Sequence, residues 1–207
     1  SPQPQRRPTI GSDPKRRSPL PAITRLGPDA TDGDLLAGLA LLCQPPPSKR
    51  IHQWLAAWRN VIALTTTRAL SPELAYITGL LLTPLKGTAT LRRNGQRALQ
   101  EELFDRTDTD GTPHAEHFDD LPEWLATLVR AGFWGQQFGT CPWNKLAHQR
   151  FARLVNWVAP LYRHRNRLAL PHRPARSLQE LLKSATQLAG PAPVSCVSQS
   201  DWAHVAV

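Results

Sequence analysis

Apolar residues recur at spacings of three and four along most of this chain, and strict alternation is nearly absent. That spacing places apolar side chains on one face of a helix, so the chain reads as helical. Thr31-Asp32-Gly33-Asp34 is a capping arrangement ahead of the apolar run 35–42. Ser48 opens a stretch in which Ile51, Trp54, Leu55, Trp58, Val61 and Ile62 share a face, with Trp54 and Trp58 expected to be buried together. Ser71-Pro72-Glu73 combines a hydroxyl cap, proline at the first helical position and an acid in the first turn. It predicts a helix to about Leu82, stopped by Pro84, with another over 89–104. Asp120-Leu121-Pro122-Glu123 reads as a capping box for a helix ending near Gly132.

The longest pattern covers 142–168. Trp143, Leu146, Ala147, Phe151, Leu154, Val158 and Leu161 lie on one side, and Lys145, Arg153, Asn156, Arg163 and Arg167 on the other. Pro160 is expected to kink or split this helix near 156–159. A last helix is predicted over 177–188. The fold class expected is all-α, a single compact bundle of about six to eight helices. It would occupy 29–189, between a basic, Pro-rich disordered tail at 1–28 and a disordered tail at 190–207.

Composition narrows the class. A hydrophobic share of 41% suffices for a core. No apolar run approaches the ~18 residues of a membrane span, and the opening residues lack the apolar stretch of a secretion signal. The cysteines, Cys43, Cys141 and Cys196, are scattered without a CxxC pair, which excludes a zinc ribbon or finger. The odd count fits reduced thiols and an intracellular location, cytoplasmic or nucleoid/nuclear. Cys43 reads as a small core residue.

The formal net charge of +9 is arranged in blocks. Residues 105–124 hold seven acids and one base, whereas residues 125–176 hold nine bases and no acid. A basic block without local carboxylates attracts polyanions, nucleic acid above all. Arg163, Arg165, Arg167 and Arg173, with Lys145 and Arg153, are therefore candidate phosphate ligands, because guanidinium binds phosphate bidentately. The competing expectation is that the acidic stretch neutralises some of them across the fold. The segment 14–19, Pro-Lys-Arg-Arg-Ser-Pro, is a further short basic element that reads equally as a contact or as a solubilising leader.

A second candidate is a helix-turn-helix made of 71–82, the turn 83–87 and 88–104. Arg92, Arg93 and Arg97 lie early in its second helix, where a groove-reading helix presents them. The turn is longer than usual, so ordinary helix packing is the stronger expectation. A third candidate is Asp105–Gly111 with His114, Glu116, His117, Asp119 and Asp120. It departs from a calcium loop at both anchor positions, with Arg106 first and His117 last. His114-Ala115-Glu116 lacks the Pro-Cys-x-x-Cys that a zinc deaminase requires. An acidic loop with Asx turns is expected there, and no metal site or cofactor. GxxxxGK[ST], GxGxxG and GxSxG are absent, and no catalytic residue stands out.

The leading expectation is a non-enzymatic, basic helical nucleic-acid-binding protein, DNA- or RNA-binding. It would be a subunit of a larger nucleoprotein assembly of mobile-element, viral or ribonucleoprotein type, with other protein subunits as partners and no membrane. The alternative is a protein-interaction adaptor, effector or scaffold module. The third is a small metal-dependent enzyme using the 105–120 cluster.

Overall fold

The computed structural model describes residues 20–45, 48–163 and 175–190, with the backbone alone at 48, 161–163 and 175–177. Among the described residues every regular element is helical, and Thr107 and Pro113 form only an isolated bridge. The protein is all-α. No described helix is long and apolar enough to cross a membrane. The chain divides into two compact units, 1–68 and 69–207, where the sequence pattern suggests one body over 29–189.

The first unit begins before position 29. Helix α1 (Leu20–Thr24) buries Leu20 and Ile23, so the apolar residues closing the Pro-rich stretch already belong to the fold. Helix α2 (Asp32–Leu42) starts with a full capping box. The Asp34 amide donates to Thr31 Oγ1 at 3.2 Å, and the Thr31 amide donates to Asp34 Oδ2 at 3.0 Å. Helix α3 (Ile51–Thr67) buries Ala57, Val61 and Leu64 and packs on α1 and α2. Asn60 fixes the register, donating to the carbonyls of Ile23 and Leu26, each at 3.0 Å.

Two expectations fail in this unit. Trp54 and Trp58 are half-buried, an edge-on pair with centroids 5.9 Å apart, while Ile51 and Leu55 are exposed. The small Ala57 permits a closer approach than an indole would, so the buried stripe runs through Ala57, Val61 and Leu64. Cys43 is exposed, because it caps α2 beyond the buried Leu42.

The second unit is built on the pair α4 (Pro72–Leu81) and α5 (Thr88–Asp105). Ser71 caps α4 as the sequence predicts, accepting from the Leu74 amide at 3.4 Å. The two helices touch backbone to backbone at two glycines. A Cβ on Gly79 would lie 2.5 Å from the Arg92 nitrogen, and one on Gly95 would lie 2.4 Å from the Tyr76 nitrogen. Helix α6 (Leu121–Gln137) packs on α4, where the buried Glu73 accepts from Arg130 Nε at 2.6 Å and Nη2 at 2.8 Å. Helices α7 (Lys145–Arg163) and α8 (Ala175–Ala189) complete the unit.

Asp120 does not cap α6 with its side chain, since its carboxylate accepts from Arg106 at 2.6 Å instead. Gly132 does not end that helix. It lies inside α6, and a Cβ there would lie 2.9 Å from Leu188 Cδ1 of α8, so a close helix approach uses it. The stop comes at Gly139, whose φ of 63° suits glycine. Pro160 does not split α7, which continues to Arg163. The proline sits in the last turn, and the donor it lacks would have served the carbonyl of the exposed Asn156. Leu146 is 61% exposed rather than core, one residue from the buried Ala147.

Candidate nucleic-acid interface

Helix α5 carries an exposed stripe at helical spacing through Thr90, Arg93, Asn94, Arg97 and Glu101. Its opposite side is pinned by the two glycine contacts and by the buried Leu99 and Leu103. The intermediate side holds the junction between α6 and α7. Gln96 donates to the Cys141 carbonyl at 2.9 Å, and Gln100 to the Pro142 carbonyl at 2.8 Å. Asn144 donates to Gln100 Oε1 at 2.6 Å while its own Oδ1 caps α7, accepting from the Ala147 amide at 2.8 Å. Lys145 follows directly and is exposed.

A groove of about 340 Å³ runs along this stripe, lined by Arg93, Gln96, Arg97, Gln100, Glu101 and Phe104. Arg97 is 81% exposed and pairs with Glu101 at 2.7 Å. Arg93 donates, among the described residues, only to the carbonyl of Ala89, at 3.3 Å. Among the described residues Arg92, Arg93 and Lys145 form no ion pair.

The arginines of α7 behave differently. The chain at 107–113 makes a tight turn: the Gly111 amide donates to the Asp108 carbonyl, and Asp110 Oδ1 accepts from the Thr112 amide at 2.9 Å. Gly111 has a φ of 87°, and a Cβ on it would lie 2.4 Å from Arg153 Cβ. The turn is thus pressed onto α7. Arg150 donates to the carbonyls of Thr107 and Asp108, and its guanidinium lies 5.4 Å from the Phe104 ring centre. Arg153 donates to the Thr109 carbonyl at 2.7 Å. Burial pushes the Asp110 carboxyl upward, but hydrogen bonds from Thr112 outweigh it and hold the group below its usual range.

Comparison with known protein families, with curated proteins and with solved structures finds no match.

Of the expected ligands the structure brings together Arg93 and Arg97 on the groove wall, and Lys145 is exposed directly after Asn144, which bonds Gln100. Arg92 is half-buried, with its backbone against Gly79. Arg153 is exposed but engaged with the turn. The side chain of Arg163, and all of Arg165, Arg167 and Arg173, lie outside the described residues. Of the basic block, Arg130, Arg150 and Arg153 have bonds within the fold. The turn's backbone carbonyls hold Arg150 and Arg153, and Arg150 also interacts electrostatically with the Asp110 carboxylate of the turn. The sequence reading missed Gln96, Gln100 and Phe104, although they follow Arg93 and Arg97 at spacings of three and four and so were readable as one helical stripe.

Proposed function

We propose that the chain is a non-enzymatic nucleic-acid-binding protein, a subunit of a larger nucleoprotein assembly, and that α5 with the start of α7 is its phosphate-gripping face. The observation that carries this reading is the exposed pair Arg93 and Arg97 on the wall of a groove, with exposed Lys145 next to Asn144, which bonds Gln100 of the same wall. Arg93 and Arg97 stand one turn apart, ~6 Å along the helix, on the same face. Guanidinium and ammonium groups there meet phosphate oxygens without desolvating any apolar core. Glu101 competes with phosphate for Arg97, so Arg93 and Lys145 make the first contacts. Base reading contributes little, because Gln96 and Gln100 each already give one amide donor to a backbone carbonyl and are held against the α6–α7 junction. The beginning of α5 is also packed on α4, which disfavours groove reading by a free helix end.

Gel-shift titration at two salt concentrations tests the reading. Binding through several phosphates weakens steeply as salt rises. Salt-independent binding, or none at low salt, overturns it. The interaction-module reading keeps one observation in its favour: exposed Ile51 and Leu55 beside half-buried Trp54 and Trp58.

A further inference from the structure

The segment after the tight turn brings together chemistry that phosphate binding does not use. Residues Ala115–His117 form a single 3-10 turn entered from His114. His114, extended before the turn, and His117, at its end, bring their imidazoles to one side. Their rings stack, with centroids 6.3 Å apart and planes inclined by 28°. The ligand atoms of His114, Glu116 and His117 all lie within 4.8 Å of one another. His117 Nε2 stands 3.5 Å from Glu116 Oε1, and His114 Nε2 stands 3.4 Å from Asp108 Oδ1.

With metal–nitrogen and metal–oxygen bonds of about 2.0–2.2 Å, the edge between neighbouring ligands of a tetrahedral ion is roughly 3.4 Å. The His117–Glu116 edge already has that length, and His114 lies within reach of a small side-chain adjustment. The backbone beneath them is fixed by ordinary bonds. The His114 amide donates to the Arg106 carbonyl at 3.0 Å, the His117 amide to the His114 carbonyl at 3.0 Å, and the Asp108 amide to the Thr112 carbonyl at 2.9 Å. Both imidazoles are partly buried, and both carboxylates are accessible.

We propose that His114, Glu116 and His117, with water completing the sphere, bind a divalent transition cation of the zinc class. Two imidazoles and carboxylate oxygen suit zinc, and hard oxygen-only cations are disfavoured. Bound there, the ion would fix the segment 114–117 at the entrance of α6, a structural role independent of phosphate binding by α5. No reaction is assigned to it.

Calorimetric titration of the full chain with zinc chloride, supported by visible absorption with cobalt(II), tests the site. One ion per chain and tetrahedral cobalt bands are expected, with a higher Tm in the presence of zinc. His114→Gln and His117→Gln should each weaken binding roughly tenfold or more, while His148→Gln leaves it unchanged. Should a histidine variant fail to fold, Glu116→Gln, at an exposed position, carries the same test through a weaker zinc affinity. An absence of stoichiometric binding, or an affinity indifferent to these substitutions, would show that the cluster is only a pair of imidazole–carboxylate contacts.

Discussion

Helices α5 and α7 of the second unit lie side by side, and both carry arginines that the sequence presents as surplus charge. On α7, Arg150 and Arg153 are tied to the carbonyls of Thr107, Asp108 and Thr109. On α5, among the described residues, Arg93 reaches only its own helix and Arg97 reaches an exposed neighbour. The difference lies in what each helix faces. The turn at 107–113 bonds its own Asp108 and Thr112 carbonyls, while those of Thr107 and Thr109 take guanidinium donors from α7. Among the described residues nothing of that kind overlies the exposed stripe of α5. Counting bases in a segment therefore does not locate an interface. The partner each base has within the fold decides which are left for a ligand.

The comparison breaks most sharply at two glycines with similar backbones. Gly111 has a φ of 87° and is pressed on Arg153, whereas Gly87, before α5, has a φ of 90° with nothing within 4 Å of its Cβ position. Gly111→Val should therefore cost ~3 kcal/mol or more, through both strain and overlap. Gly87→Ala should cost only ~1–2 kcal/mol, from strain alone. Denaturant midpoints measure both. Equal losses would mean that the turn is not seated on α7.

The arginines themselves come next. Arg150→Ala removes two hydrogen bonds to carbonyls and should destabilise the second unit by ~1.5–3 kcal/mol. Arg97→Ala removes an exposed i,i+4 pair and should cost less than ~0.5 kcal/mol. Thermal melts distinguish them, and the reverse order would invert the assignment of structural and free cations.

The smallest effect is in pH. The Asp110 carboxyl is held below its ordinary range despite burial, because Thr112 donates to it. Its folded value is thus the lower one, so its stabilising contribution is present above the unfolded carboxylate value and lost as pH falls through the folded value. Acidification should loosen the turn at 107–113 before α5, seen as earlier amide exchange at Gly111 and Thr112. Asp110→Asn should remove that dependence. Loss of protection in α5 first would contradict it.

Much of this fold was legible in the sequence. The Thr31 capping box and the Ser71-Pro72 opening act as local signals, and local chemistry was enough to read them. What failed depended on long-range partners. Asp120 resembles a cap but is claimed by Arg106, and Gly132 resembles a stop but serves the approach of Leu188. The glycine pair Gly79 and Gly95 that sets the distance between α4 and α5 carries no local signature. The candidate interface was half legible for the same reason. Arg93 and Arg97 stand on a readable stripe, but the engagement of Arg153 with Thr109 joins residues 44 apart. The approach of Asp108 to His114 likewise needed the turn to be folded first.

The central claim is that phosphates are gripped by α5 and the start of α7 and not by the turn-holding arginines. The slope of log Kobs against log salt tests it most directly, measured on a single-stranded and a duplex probe. Arg93→Glu with Arg97→Glu should weaken binding to all sequences about equally and reduce the slope by roughly 0.7–0.9 per lost contact. Arg150→Ala should leave the slope unchanged although it lowers stability. An unchanged slope in the α5 double variant, or a loss of slope on Arg150→Ala in protein that is still folded, would contradict the account.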